Sequence, residues 1–486
     1  MLKQLLARKT DFSQTDDGSH GPALKRTLGP WGLTALGIGA VIGGGIFVIT
    51  GQAAAEHAGP AIILAFIIAA ICCSFTALCY AEFATLIPMS GSSYSYAYAT
   101  LGELVAWFIG WNMVLEYGVS ASAVSVSWTG YFVSLLDHVG IHLPGVLTNA
   151  PLAYTDGHLV TTGAIFNLPA VAIVLALTWL CYVGITESSR ANLAMVILKV
   201  GLIVIVIAAG WHYVNPALWH PFIPASQGPE KYGWAGIMRA ATLVFFAYIG
   251  FEATSTAAQE AKNPQRDLPI ATLTSLAICT VLYIGIAAVI TGLLPFDKLG
   301  TAEPVVTAVR AHAELGWLRW LVEVGALIGL SSVILVMVIA QPRIFMIMGR
   351  DGLLPPVFAK IHPKYHTPHI NTVITGVGIA ALAAVFPLDV LGDLVSMGTL
   401  IAFVAVCAGV LILRKTRPDL PRTFRVPWAP VTCVLGVVSC LALLYWENWY
   451  QWLLLGVWTV IGMVIYFGYG RRHSHLRRDQ QVAGKS

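Results

Sequence analysis

A lysine stands in the middle of an apolar run, Met195-Val196-Ile197-Leu198-Lys199-Val200-Gly201-Leu202-Ile203. At 1.5 Å per helical residue it lies ~13 Å beyond Arg190, which opens the run, too deep for its ammonium to reach water easily. In a membrane such a lysine costs from ~3 to well over ~10 kcal/mol, so it implies a function and a place facing the bundle interior. Burial disfavours the charged form of an ammonium, which suits the residue to carry a proton. The plainer alternative is a lysine permanently paired inside the bundle. Among the acids in apolar runs, Glu116 in Leu115-Glu116-Tyr117-Gly118 is the deepest, while Glu82 and Glu252 sit nearer the inner end and Glu323 nearer the outer. Glu116 could meet a cationic substrate side chain, or serve as structural partner to another buried polar group. Ser331 and Ser332 add hydroxyls to a further apolar run, where such groups more often bond their own backbone than a ligand.

A second feature concerns the backbone. Gly39-Ala40-Val41-Ile42-Gly43-Gly44-Gly45-Ile46-Phe47 interrupts an apolar helix with three successive glycines. Gly39 and Gly43, four residues apart, are spaced for close helix packing. The triplet is not, because successive residues are ~100° apart around a helix, and each glycine costs a helix interior about 1 kcal/mol relative to alanine. A break is expected, with its freed N–H and C=O groups lining a polar cavity. Phe245-Phe246-Ala247-Tyr248-Ile249-Gly250-Phe251-Glu252 offers a second candidate break. Half-helix N-termini favour an anion and half-helix C-termini a cation. An amino acid zwitterion carries both, which places its carboxylate on the amides around Gly43 to Gly45 and its α-ammonium on carbonyls near Phe246 to Ile249.

The elements that position these groups follow from composition. The 486 residues are 57% hydrophobic and 11% charged, with a mean hydropathy of +0.75, against about 25% charged in soluble domains. This is an all-α polytopic membrane protein. Runs of the ~20 apolar residues needed to span a bilayer begin near Trp31, Pro60, Leu101, Ala164, Arg190, Gly233, Leu268, Leu315, Ile370, Leu391, Trp428 and Trp449. They predict twelve transmembrane helices with both termini on one side. The two candidate breaks then fall in spans 1 and 6, corresponding members of two five-span halves, as an inverted repeat requires. Of the 28 Lys and Arg residues, only Lys231, Lys298, Arg310 and Arg319 lie outside and Lys199 and Arg239 lie within spans. The remaining 22 face the side of the termini, which makes that side cytoplasmic. The polar leader is expected to be a cytosolic tail rather than a cleavable signal. The boundaries read as a tail over 1–30, helices 1–5 over 31–211, helices 6–10 over 233–414, helices 11–12 over 428–469 and a second tail over 470–486.

Other function classes find no support. The eight cysteines all lie in apolar runs without metal-ligand spacing, and no cofactor or metal is expected. The net charge of +4 is explained by the inner loops and does not imply nucleic acid. Nucleophile elbow, zinc-protease and phosphate-loop motifs are absent, which argues against an enzyme. The connection Pro88-Met89-Ser90-Gly91-Ser92-Ser93-Tyr94-Ser95-Tyr96-Ala97-Tyr98 reads as an interfacial or re-entrant inner segment rather than a strand.

Gly37 to Phe47, Tyr80-Ala81-Glu82-Phe83, Ser90-Gly91-Ser92-Ser93-Tyr94, Phe245 to Phe251, Asn263-Pro264-Gln265-Arg266-Asp267 and Arg350-Asp351-Gly352-Leu353-Leu354-Pro355 together resemble the amino acid–polyamine–organocation superfamily, and within it the bacterial cationic amino acid transporters. The resemblance runs in order from about Leu24 to Gly470. It implies a leucine-transporter-like core, a five-plus-five inverted repeat with broken helices 1 and 6, plus two additional helices. It also implies alternating access in the bacterial inner membrane and proton-driven uptake of L-amino acids, cationic ones such as arginine, lysine or ornithine and small neutral ones such as alanine. By resemblance the substrate carboxylate falls to Ile42, Gly43, Gly44 and Gly45, the α-ammonium to Phe246, Ala247 and Ile249, and an aromatic gate to Phe251. Lys199 matches a fifth-helix lysine that stands where sodium-coupled relatives hold a cation, with Ser331 and Ser332 nearby. Many relatives have Thr or Ser where this chain has Gly44, so the carboxylate loses a hydroxyl contact or the pocket admits a bulkier substrate. A sterol-like lipid and a small single-span membrane protein are the partners the family implies beyond substrate and proton. The rival readings are an exchanger without proton coupling and a non-transporting amino acid sensor.

Overall fold

The computed structural model describes residues 28–86, 92–155, 158–183, 189–256, 261–365, 367–420 and 422–476. Residues 1–27 and 477–486, most of the two expected tails, lie outside them, as do Pro88 to Gly91 of the Tyr-rich connection. Helix dominates. The first, α1, runs Pro30–Val41 and starts on a proline, whose missing N–H is no loss at a helix N-terminus. The chain resumes as α2 over residues 45–58, with π-type turns at Gly45–Ile49 and Ala54–Ala58. Gly59, at φ +60°, turns it into α3, Ile62–Leu86. After these come α4 (Ser92–Thr100), α5 (Glu103–His138), α6 (Leu168–Val183) and α7 (Ser189–Trp211). Next are α8 (Gly233–Phe245), α9 (Pro264–Leu293), α10 (Gly316–Arg350) and α11 (His369–Val385). The series ends with α12 (Leu388–Thr416), α13 (Ala429–Tyr445) and α14 (Trp449–Ile465).

Among the described residues, seven helical segments are long and apolar enough to cross a membrane, and four shorter apolar helices, α1, α6, α11 and α13, accompany them. Exposed aliphatic side chains such as Ile197, Val281, Val377, Val438 and Val464 form the outer faces, the pattern a lipid-facing surface requires. Trp31, Trp211, Trp428 and Trp449 are exposed at helix ends, as interface anchors are. Inside, α9 packs on α1 and α3, α5 on α10, and α7 on both α1 and α10, so a side chain on the inner face of α7 meets two helices at once.

The Tyr-rich segment, expected to be interfacial or re-entrant and not a strand, is a buried helix, α4: the Tyr94 hydroxyl donates to Asp351 at 2.7 Å and that of Tyr98 to Glu103 at 3.1 Å. The outer connection holds an antiparallel hairpin, β1 (Leu152–Thr155) and β2 (His158–Thr161), with Thr155 opposite His158. The intervening Asp156-Gly157 is a two-residue hairpin signal.

Most helix acids are matched. Glu82 accepts from Arg414 Nε at 3.0 Å and from the Val426 N–H at 2.8 Å. Glu323 accepts from Ser134 at 2.7 Å and from Arg319 at 2.9 Å. Arg239 of α8, 3% exposed, donates to Asp393 of α12 at 2.5 Å and to Glu447 at 3.1 Å. Removing one partner from such a group leaves uncompensated buried charge. Arg239→Leu is therefore expected to destabilise the protein by about 3–5 kcal/mol, far more than Arg414→Leu at a more exposed site. Thermal unfolding in detergent measures this, and equal melting temperatures for the two variants would contradict it.

Candidate functional site

Helix α1 stops where the glycines begin. Ile42 leaves the helical region at ψ 99° while its N–H still donates to the Ile38 carbonyl at 2.9 Å, and the helix restarts from Gly44 and Gly45. The first-turn amides of α2 have no acceptor within their own helix, and the last carbonyls of α1 have no donor within theirs. Side chains from α7 and α9 supply donors for the carbonyls of α1, and those of Tyr131 and Thr50 bond carbonyls of α2. The Lys199 ammonium donates to Gly39 O at 2.9 Å and to Ile42 O at 3.2 Å. The Tyr283 hydroxyl lies 3.1 Å from Val41 O, Tyr131 donates to Phe47 O at 2.6 Å, and Thr50 donates to Gly45 O at 3.0 Å. Lys199 is fully buried, and its stem crosses α10 beside Gly329, where an added Cβ would stand 3.4 Å from the lysine Cγ.

The second break is present as well. α8 passes through a 3₁₀ turn, Phe246–Tyr248, into extended Ile249 at ψ 132° and Gly250 at φ +116°. That φ suits glycine alone, and an added Cβ would in any case lie 2.9 Å from the Ala40 backbone. The two breaks touch. A Cβ on Gly45 would fall 2.3 Å from that of Ala247, so only glycine allows this approach. The Tyr283 hydroxyl, 2.6 Å from Ala247 O and 3.1 Å from Val41 O, stands between a carbonyl of each break.

The structure therefore brings Ile42, Gly43, Gly44 and Gly45 against Phe246, Ala247 and Ile249, all of them buried. Gly43 faces Val333 of α10. Phe251 packs its ring on Tyr80 and Phe403, with centroids 5.8 and 5.3 Å away. Ser331 donates to Leu327 O at 2.7 Å and accepts from Trp128, and Ser332 donates to Gly329 O at 3.0 Å. Glu116 is not brought to the glycines. Gly44 touches α5 at Val124 and Ser127, so Glu116, eight residues earlier, lies ~12 Å away along that helix, in a π-type turn, Leu115–Val119. There its carboxyl meets that of Glu252.

Three residues escape a reading of the sequence. Tyr283 and Tyr131 sit in apolar runs, where a tyrosine reads as core until the carbonyl it serves is known. Ser127 places its hydroxyl 2.7 Å from where a Gly44 Cβ would stand, so a hydroxyl from α5 fills the space that a Thr or Ser at position 44 would take. Gly45→Ala is expected to force the two breaks apart, costing about 1–3 kcal/mol of overpacking. Gly44→Ala needs only a rotation of Ser127 and should cost much less. Thermal unfolding in detergent compares the two, and equal melting temperatures would contradict the close approach.

A family model described as amino acid permease matches residues 28–468. The chain is 47% identical to the branched-chain amino acid permease BcaP of Bacillus subtilis (strain 168), over 98% of this chain and 100% of that protein. It is 44% identical to the methylthioribose transporter of the same organism, over 97% and 99%. It is also 36% identical to the vacuolar cationic amino acid transporter 4 of Arabidopsis thaliana, over 83% of this chain and 65% of that longer protein. These relatives are transporters by name and not enzymes. The chain is an integral membrane protein of the amino acid permease family, within the amino acid–polyamine–organocation superfamily.

Proposed function

We propose that the chain imports L-amino acids together with protons, by alternating access across the bacterial inner membrane, with both termini in the cytoplasm. Its helices then form twelve spans. Residues 31–211 and 233–414 are the two inverted five-span halves, and 428–469 hold the two added helices. The observation that carries the proposal is the Lys199 ammonium on the carbonyls of Gly39 and Ile42, at the first break. The substrate carboxylate sits on the amides of Ile42 to Gly45, and the α-ammonium on carbonyls of Phe246, Ala247 and Ile249. Phe251 closes the site on the inner side, and Ser331 and Ser332 support the α10 wall. With its proton, Lys199 holds the end of α1; without it, the amine has no charge to offer those carbonyls. Proton occupancy and the geometry of the carboxylate site are thereby linked.

The side chain of the substrate is read as aliphatic. Ile42, Val333, Phe246 and Ile249 offer apolar surface beside the breaks, and two relatives of high identity are named for branched-chain amino acids and for methylthioribose. The expected preference for cationic substrates is the second reading. It is favoured by the buried carboxyls of Glu116 and Glu252, which a long cationic side chain would have to reach.

Competition against labelled leucine in proteoliposomes separates the readings. Valine and isoleucine should compete best, arginine, lysine and ornithine poorly, and methylthioribose, which has neither zwitterion charge, not at all. Arginine competing best would support the second reading, and competition by methylthioribose alone would exclude an amino acid carrier. For coupling, Lys199→Ala should lose accumulation driven by a pH gradient by about tenfold or more, corresponding to about 1.4 kcal/mol, while counterflow exchange persists. Undiminished accumulation would exclude Lys199 as the coupling group, and a wild-type protein capable only of counterflow would be an exchanger.

A further inference from the structure

Glu116 and Glu252 stand apart from the other helix acids. Both are fully buried. Among the described residues, no N–H or O–H donor lies within bonding distance of either Glu116 oxygen or of Glu252 Oε1, and neither residue forms an ion pair with a Lys, Arg or His. The two carboxyls face one another within hydrogen-bond reach. The described titratable groups around them are neutral ones, Tyr80 and Cys73 of α3 and Tyr117 of α5. Two ionised carboxylates cannot be held at such a distance without a counter-charge. A pair sharing one proton, with the acid O–H of one donating to the carboxylate of the other, satisfies both.

We propose that Glu116 and Glu252 form a second proton-binding site, distinct from Lys199, which ties α5 to the chain that follows the second break. Glu252 Oε2 also accepts the Gly250 N–H at 3.1 Å, the amide freed where α8 gives way to extended chain, so one carboxyl serves both the shared proton and the hinge. Glu116 in turn sits in the π-type turn of α5, a local departure from α geometry that aims it at its partner. When the proton leaves, two carboxylates remain and repel. The segment after Gly250 is then driven away from α5, which opens the inner side of the site. The pair holds a proton from outside while it is closed and gives that proton up inside. This consequence rests on the transport reading proposed above, whereas the shared proton itself does not.

Infrared difference spectra of the full-length protein in lipid nanodiscs, recorded between acidic and alkaline pH and repeated in deuterated water, read the proton without any transport. The expected result is a deuterium-sensitive C=O band of a buried carboxylic acid that shifts or disappears in Glu116→Gln and equally in Glu252→Gln, while Glu116→Asp, which keeps the carboxyl, retains it. No such band in the wild type, or a band untouched by either Gln substitution, would overturn the proposal. So would loss of the wild-type band on adding arginine but not leucine, which would assign the pair to a cationic side chain. In proteoliposomes both Gln variants should flatten the pH profile of counterflow, which a purely structural role would leave in shape while lowering its height. If leucine transport is absent altogether but the shared band is present, the carrier reading fails and the proton site stands.

Discussion

The rest of the site depends on what happens to backbone carbonyls when a helix is interrupted inside a membrane. Water cannot satisfy them there, and each unpaired group costs several kcal/mol. At the end of α1 the donors are a lysine ammonium and a tyrosine hydroxyl, from α7 and α9. An ammonium in this role differs from a hydroxyl in one respect: it has a charge that a proton can remove. The break is therefore held by a group whose strength depends on protonation. On the proposed reading, that is the use of so costly a residue in α7, which packs against both α1 and α10.

The two breaks are one structure rather than two. Gly45 rests against Ala247 and Gly250 against Ala40, and the Tyr283 hydroxyl lies beside a carbonyl from each. A shift of α1 is thus felt at Ala247 and Gly250 through steric contact, with no loop between to absorb it. Gly250 then passes the shift to Glu252, whose carboxyl holds its amide, and Glu252 to Glu116. Lys199 and the carboxyl pair stand at opposite ends of this chain of contacts, so on the proposed reading protonation at either end would act on the same hinge.

Much of this is legible in the residues. The glycine triplet forecasts the first break because three adjacent glycines weaken a helix interior more than close packing on one face can offset, and Lys199 declares itself through the cost of its burial. Both are local violations of what an apolar helix prefers, which a sequence displays openly. Gly250 is a weaker signal, since one glycine is commonly packing, and its positive φ emerges only in three dimensions. Tyr283, Tyr131 and Ser127 break no local rule; their importance lies in which carbonyl or glycine they happen to face. Glu116 is visible as a buried acid, but its partner is 136 residues away in sequence, on the far side of the second break. Periodicity places a residue on a helix and says nothing of a neighbour so distant. For the Tyr-rich α4 the residues leave an interfacial and a re-entrant place open for a related reason, because its hydroxyls find buried partners that no spacing reveals.

The most direct measurement follows protons rather than substrate. Proteoliposomes loaded with a pH-sensitive dye, with no gradient imposed, are given leucine on the outside while a potassium ionophore clamps the membrane potential. The lumen is expected to acidify when leucine enters and only then, and Lys199→Ala, still capable of exchange, is expected to produce no acidification. Leucine uptake by the wild type without a change in luminal pH would contradict it.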